Sequence, residues 1–286
     1  MVGSTDHIPL PGLEVTPYGD HVSADELIAR VRDICAADER LDAALMYGSF
    51  AAGEADAHSD IEFWLFFEPK HHSTVDPLRW CEQIAPVSHL VRNEFGTDVV
   101  FFPGLLRGEF HFATVDDVPS VGTWPARGAA VDRMIVLDRR DALRPVLESV
   151  PHRAQVPADG SEIETVCGRF ANWVVLAHHV ERRGEWLRAL DALGHAQRHL
   201  LWLARLAGDA TEHWLTPSRA AEAELTPAAL AGLRSATAGA DPDDLRAAIG
   251  AAWLLGRGYW IELAKRHGRR VPDVLFGEID NALLRT

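Results

Sequence analysis

The stretch "LMYGSFAAGEADAHSDIEFWLFF", residues 45–67, decides the fold. It places two carboxylates, Asp60 and Glu62, at the head of an apolar strand, downstream of the pair Gly48 and Ser49. Residues i and i+2 of a strand point to the same face, so the two acids are expected to project together. Two acids this close repel each other unless a cation lies between them. The stretch therefore predicts a cation site.

The Gly-Ser pair points to a phosphate group beside that cation. Gly48 ends a short strand and lets the backbone approach a ligand closely, and Ser49 is expected to cap a following helix whose amides attract phosphate. Oxygen ligation by few protein groups is what Mg²⁺ prefers, with substrate phosphates completing its shell. The combination predicts a site for a metal-bound nucleoside triphosphate, with Ser59 and Arg107 as further candidates for nucleotide contact. A surface strand with an acidic exposed face would explain an isolated acid pair, but it is a poor explanation of the whole pattern.

A third carboxylate should come from a neighbouring strand, because two-metal transfer chemistry needs a group to hold a second ion or take the proton of the attacking hydroxyl. Asp98 in "GTDVVFF" and Glu109 in "RGEFHF" are the two candidates. Around Glu109 the alternation is clean, with Glu109 and His111 on the face opposite to Phe110. Asp98 lies at the entrance of its strand, where an acid is often only a turn residue. The pattern favours Glu109 and leaves Asp98 open.

The composition and net charge of the chain limit the classes of molecule that it is expected to bind. The chain has 286 residues, 47% of them hydrophobic, and a formal net charge of −14. Nucleic-acid binders usually carry a basic face, so this balance disfavours nucleic acid and favours a cationic small substrate. The three cysteines form no CxxC pair, which suits a reducing cytoplasm. No signal peptide is apparent, and no apolar run approaches the ~20 residues that span a bilayer, so no membrane association is expected.

The pattern of apolar residues changes near residue 157, from a mixture of strand and helix patterns to helical periodicity. Residues 1–22 are expected to form an extended arm, residues 23–150 a sheet covered by helices, and residues 157–286 a helical bundle. The expected elements of the sheet domain are a helix over 23–40, a mostly helical stretch over 76–96 with a break at Pro86, and strands over 43–48, 60–67, 97–102 and 109–113. The bundle is expected to contain long helices over 161–184, 185–208 and 241–268 and a last helix from Val271.

Other chemistry-bearing residues in the second half are interpreted as packing or cleft-lining groups. His195 and His199 have the i, i+4 spacing of a zinc pair, but no third ligand is visible, so a solvated or cleft-lining face is favoured. The tryptophans at helical spacing are expected mainly in the core, with a wall for an apolar acceptor as the alternative. These are Trp173, Trp186, Trp202, Trp214, Trp253 and Trp260.

The acid pattern is the signature of nucleotidyltransferases whose fold resembles the palm of DNA polymerase beta. It consists of a hydrophobic residue and Gly-Ser, a spacer, and then an acid, a hydrophobic residue and a second acid. Three segments, "DERLDAALMYGSFAAGEADAHSDIEFWLFF", "NEFGTDVVFFPGLLRGEFHF" and "RRGEWLRAL", resemble the larger lincosamide nucleotidyltransferases of the LinB type. The resemblance runs from about residue 24 to the C-terminus. It implies an α+β fold, with a mixed-sheet nucleotidyltransferase palm flanked by helices and followed by an all-α domain that binds the acceptor.

The resemblance also implies an activity, the ATP- and Mg²⁺-dependent transfer of a nucleotidyl group to a hydroxyl of a lincosamide antibiotic. Asp60 and Glu62 match the metal-binding pair, Glu109 matches the third acid, and Gly48 and Ser49 match the phosphate-side turn. Two Mg²⁺ ions are expected, bound by Asp60, Glu62 and Glu109. The alternatives are an aminoglycoside acceptor, a protein-modifying enzyme, a component of a toxin–antitoxin pair, and a degenerate palm that only binds a nucleotide or a partner. The nucleotide preference, the modified hydroxyl and a homodimeric assembly stay open.

Overall fold

The computed structural model describes residues 22–284, so the arm expected over 1–22 lies outside the described residues except for Val22. The chain divides into two compact units, Met1–Arg153 and Ala154–Thr286. Each unit buries its own apolar core. No helix among the described residues has both the length and the apolar character needed to cross a membrane.

The first unit is built on a six-stranded sheet in the order β3-β4-β5-β2-β1-β6. β2 and β5 run parallel, and the other neighbouring strands run antiparallel. The sheet is therefore mixed, as expected for the α+β fold, which is confirmed. The strands are β1 (Leu41–Met46), β2 (Ile61–Phe67), β3 (His89–Arg92), β4 (Asp98–Phe101), β5 (Arg107–Thr114) and β6 (Ile135–Asp138).

One face of this sheet packs on an aromatic and aliphatic core. Phe63 of β2 stacks on Phe110 of β5 with ring centroids 5.7 Å apart, and Trp80 meets the same Phe110 ring. Burial of such rings supplies most of the stabilisation of a sheet of this size. The helices of this unit are α1 (Ala24–Ala37), α2 (Gly48–Ala52), α3 (Pro69–His72), α4 (Pro77–Cys81), α5 (Val118–Val121), α6 (Val131–Met134) and α7 (Leu143–Ser149).

The expectation of a mostly helical stretch over 76–96 is wrong. Only α4 is helical there, and β3 follows it as the edge strand of the sheet, paired antiparallel with β4. A tight turn makes this pairing, because the Asn93 side chain accepts hydrogen bonds from the backbone N–H groups of Phe95 and Thr97. Pairing with β4 outweighs the helical pattern of the segment. The sequence also missed β6, which pairs with β1.

The second unit is helical, as expected. Its helices are α8 (Gly160–Arg182), α9 (Trp186–Ala207), α10 (Ala221–Glu224), α11 (Pro227–Ser235), α12 (Pro242–Arg266) and α13 (Asp273–Leu283). The long helices begin at side-chain caps, Asp159 for α8 and Asp241 for α12. Phe170 stacks on Trp253 with centroids 6.3 Å apart, and Gly256 leaves room for the Phe170 ring, because a Cβ at Gly256 would lie 2.1 Å from it.

A buried arginine holds the loop after α9 in the second unit. The Arg205 side chain is fully buried and donates hydrogen bonds to the backbone carbonyls of Pro217, Ala210 and Arg219. It also forms an ion pair with Glu224 at 2.6 Å. These four partners satisfy a charge that would otherwise be costly to bury.

We expect Arg205→Met to lower the free energy of unfolding by about 3 kcal/mol, because the carbonyls and the Glu224 carboxylate would lose their donor. Urea unfolding followed by circular dichroism measures the change. Arg234→Met, at an exposed position on α11, is the matched control and should leave the unfolding free energy within about 0.5 kcal/mol. Equal losses in the two variants would contradict the role given to Arg205.

Candidate active site

Three carboxylates and one guanidinium meet at the start of β2 and β5. Glu62 and Glu109 are direct partners in the parallel register, so their side chains lie side by side on one face. Asp60 comes one residue before β2, and Arg107 is the first residue of β5. The Arg107 guanidinium donates to the carboxylates of both Asp60 and Glu109. The structure thus brings together the three acids that the sequence assigned to the site, with Arg107 between two of them.

Glu62 is packed against the turn at Gly48. Gly48 has a φ of +71°, and a Cβ there would lie 1.4 Å from Glu62 Oε2. The backbone N–H of Ser49 donates a hydrogen bond to the Glu62 carboxylate. The expectation that Ser49 caps the helix is wrong, because Tyr47 takes the N-cap position of α2 and no side-chain cap bond is made. Because Gly48 has no side chain, the Glu62 carboxylate can occupy the space beside the turn.

Ser59 is held away from the acids by its own loop. Its hydroxyl donates to Asp56 Oδ1 at 3.1 Å and accepts the backbone N–H of Asp56 at 2.9 Å. The side chain therefore shapes the turn that leads into Asp60. Its hydroxyl is engaged by Asp56 and makes no hydrogen bond to Asp60, Glu62 or Glu109.

Asp98 is separated from the three acids by the sheet itself. It lies opposite Phe110 in the pairing of β4 with β5, so it shares the face of that ring and not the face of Glu109. It is buried and accepts two hydrogen bonds from Arg92, at 3.0 Å from Nε and 2.7 Å from Nη2. Its charge is thereby balanced within the β3–β4 hairpin.

The acid cluster contains fewer positive than negative groups. Burial, together with the charges of Glu109 and Asp60, raises the pKa of Glu62 to about 7. Burial also raises the pKa of Asp60, although Arg107 opposes the shift. One guanidinium thus faces three carboxylates on a partly buried surface, where water compensates poorly for their mutual repulsion.

The donor chemistry of this cluster fits a divalent metal ion. Carboxylate oxygens on neighbouring strands are the ligands that Mg²⁺ takes, with phosphates and water in its remaining positions. Between residues 22 and 284, no group of three or more His, Cys, Asp or Glu side chains is arranged around a common ligation point. In the acid cluster this follows from Arg107, which bonds the carboxylates of Asp60 and Glu109.

Aromatic side chains continue the acid face along the sheet. The Tyr47 hydroxyl lies 3.5 Å from Glu109 Oε2, to which it donates, and 3.1 Å from His111 Nε2. The His111 ring stacks on Trp64 at 4.1 Å, and Trp124 packs against both Tyr47 and Trp64. The alternation that placed His111 beside Glu109 could also have found Trp64. Trp124 has no such signal, because it lies in a loop that is distant in sequence.

Comparison with known families bears on the second unit. Residues 160–281 match the family model of the LinB-like C-terminal domain, which is described as "Lincosamide nucleotidyltransferase-like, C-terminal domain". The match indicates a nucleotidyltransferase. The resemblance that the sequence showed to this kind of enzyme is thereby confirmed. Nucleotidyltransferases of this kind use a nucleoside triphosphate and a divalent metal ion. A sequence search of curated proteins finds no match to the chain.

Three solved structures are similar to this chain at low sequence identity. An aminoglycoside 6-adenyltransferase from Bacillus subtilis is 12% identical, with a TM-score of 0.42, over 91% of this chain and 98% of that one. A nucleotidyltransferase-like protein from Exiguobacterium sibiricum is 13% identical, with a TM-score of 0.35, over 84% and 77%. A CCA-adding enzyme in complex with CTP is 12% identical, with a TM-score of 0.30, over 91% and 72%.

We expect Gly48→Ala to destabilise the nucleotidyltransferase more than a left-handed alanine alone would. Gly184→Ala is the matched control, because Gly184 has a φ of +77° and nothing within 4 Å of its Cβ position. The control should cost about 1 kcal/mol of unfolding free energy from backbone strain. Gly48→Ala should cost distinctly more, because its methyl group displaces the Glu62 carboxylate. Equal losses in urea unfolding would contradict this account of the turn.

Glu62 also predicts how stability depends on pH in metal-free protein. Its folded pKa of about 7 lies above the ordinary glutamate value of 4.5, so its stabilising contribution is full below 4.5 and is lost as the pH rises through 7. In EDTA, Glu62→Gln should therefore raise the Tm relative to the wild type at pH 8 and raise it less, or not at all, at pH 5.

Glu39→Gln, at an exposed position, is the control for that comparison and should shift the Tm equally at both pH values. The same Tm difference at pH 5 and pH 8 for Glu62→Gln would show that this carboxyl does not ionise in the range that its surroundings dictate.

Proposed function

We propose that the protein transfers a nucleotidyl group, AMP from ATP or its counterpart from another nucleoside triphosphate, to a hydroxyl of a small antibiotic, with release of pyrophosphate. The observation that carries this proposal is the set of three carboxylates, Asp60, Glu62 and Glu109, on one sheet face with too little positive charge beside them. The family of the helical unit supports the same chemistry, and its name supports a lincosamide as the acceptor.

The three acids divide two roles in the proposed reaction. Asp60 and Glu62 would hold a Mg²⁺ ion. Glu109 would hold a second ion or would accept the proton of the acceptor hydroxyl while the hydroxyl oxygen attacks the α-phosphorus and pyrophosphate leaves. The metal, when bound, neutralises the negative charge of the phosphates and of the leaving pyrophosphate. Tyr47 donates to Glu109 Oε2 and steadies this carboxylate.

Arg107 and the Gly-Ser turn act on the phosphates. The guanidinium of Arg107 bonds Asp60 and Glu109, and it would be free to pair with a triphosphate oxygen if these acids held a metal ion instead. The backbone after Gly48 and the side chain of Ser49 contact the β- and γ-phosphate end. Ser59 contributes through the turn that sets the position of Asp60.

The acceptor is proposed to be cationic, because the chain carries a formal net charge of −14 and attracts positively charged molecules over long distances. That charge favours an aminoglycoside as the second candidate acceptor. The buried free thiols of Cys35, Cys81 and Cys167 suit action in the reducing cytoplasm.

Asp60→Asn should lower the rate of pyrophosphate release from ATP with any acceptor by at least about 100-fold, because the neutral amide cannot hold the cation against the triphosphate. A coupled phosphate assay with added pyrophosphatase measures the rate. The matched control is Asp116→Asn, an exposed acid just beyond β5, which should retain wild-type rates. Near-full activity of Asp60→Asn would rule out the assignment of this acid.

A screen of acceptors tests the substrate class. Pyrophosphate release is measured with each of four nucleoside triphosphates in the presence of lincomycin or clindamycin, of aminoglycosides, or of buffer alone. Release that depends on the lincosamides supports the proposal. Release that depends only on aminoglycosides moves the acceptor to the second class, and failure with every acceptor contradicts the antibiotic-modifying function.

A further inference from the structure

The second unit contains a cavity to whose residues the proposed transfer assigns no role. Its volume is about 440 Å³, within the range of small-molecule sites. It is formed by residues at the start and middle of α8, the C-terminal half of α9 and the loop that follows α9. The side chains that matter here are those of Pro157, Val166, Arg169, His199, Trp202 and Trp214.

Two indole rings form an ordered wall of this cavity. The Trp202 indole N–H donates to the carbonyl of Trp214 at 2.8 Å, and the two rings lie 6.0 Å apart at 41°. The guanidinium of Arg198 lies 5.5 Å from the Trp202 ring centroid and fixes that ring further by a cation–π contact. A wall already held by these contacts needs little ordering when a planar ligand packs against it.

The charged side chains that line this cavity are Arg169 and Glu162. The guanidinium of Arg169 makes no hydrogen bond or ion pair with any residue from 22 to 284. The acid in the lining, Glu162, is already engaged, because its carboxylate accepts the backbone N–H groups of Ala158 at 2.9 Å and Asp159 at 3.4 Å. Arg169 therefore remains available to pair with an anion, whereas the Glu162 carboxylate is held by the backbone at the start of α8.

His199 supplies a neutral hydrogen-bonding group to the same cavity. Its ring is nearly buried, and Nδ1 lies 2.9 Å from the carbonyl of His195, to which it donates. Burial lowers the pKa of His199, and the charges of Arg169, His195 and Arg198 lower it as well. Nε2 is thereby left as a hydrogen-bond acceptor for a ligand.

We propose that this cavity binds a small molecule that combines a planar aromatic or heteroaromatic ring with a carboxylate or phosphate group. The ring packs against Trp202 and Trp214, the anion pairs with Arg169, and a ring N–H meets His199 Nε2. The sign of the charge separates this ligand class from the cationic acceptor. The site does not depend on nucleotidyl transfer, because binding here needs neither metal nor triphosphate.

The test is calorimetric titration of the full chain in EDTA with two anionic probes, indole-3-acetate for the carboxylate source and AMP for the phosphate source. Their neutral counterparts, indole-3-acetamide and adenosine, are titrated in parallel. At least one anion should bind with a one-to-one stoichiometry and about tenfold more tightly than its counterpart, which corresponds to one charge-assisted contact. The tighter of the two anions identifies the source.

Arg169→Gln should abolish this preference for the anion, and Arg169→Lys should retain part of it. Arg182→Gln is the matched control, since Arg182 is exposed near the other end of the same helix. Circular dichroism and the Tm establish that each variant is folded. The proposal is overturned if neither anion binds the wild type, if Arg169→Gln binds the anion as tightly as the wild type, or if Arg182→Gln loses as much. Loss of pyrophosphate release in Asp60→Asn leaves these titrations unchanged, so the two proposals fail separately.

Discussion

The first unit depends on one pairing, the parallel register that sets Glu62 beside Glu109. The register is held from the opposite face, where Phe63 stacks on Phe110, the next residue along each strand. A slip by one residue would turn the rings outward and the acids into the core. Packing of the aromatic core therefore holds together two carboxylates that would otherwise separate. The repulsion between these carboxylates favours binding of a cation.

The surroundings of the acids offset part of this repulsion. Arg107 bridges Asp60 and Glu109, and the Ser49 amide donates to Glu62. These contacts balance part of the charge and leave Glu62 with a raised pKa. Local stability is lower here than a neutral core would provide, and such conflicts concentrate where a protein binds or reacts.

Charge is distributed differently in the two units. The acid cluster of the first unit is suited to cations, whereas the cavity of the second unit presents Arg169, which has no counter-ion among the described residues. Net charge alone, −14 for the chain, predicts only the first of these. Local charge depends on which side chains are already paired, and that follows from caps such as the one that occupies Glu162.

The sequence by itself determined what short-range periodicity controls. Alternation put Asp60 and Glu62 on one face and favoured Glu109 over Asp98, and apolar spacing indicated the long helices of the second half. Only the tertiary structure decided that β3 is a strand, that Arg92 takes the charge of Asp98 and that Trp124 packs on Tyr47. Periodicity reports the face of a residue, because that is set by its neighbours in the chain. The partner strand, the register and the counter-ion are set by residues far away in sequence, so no local pattern contains them.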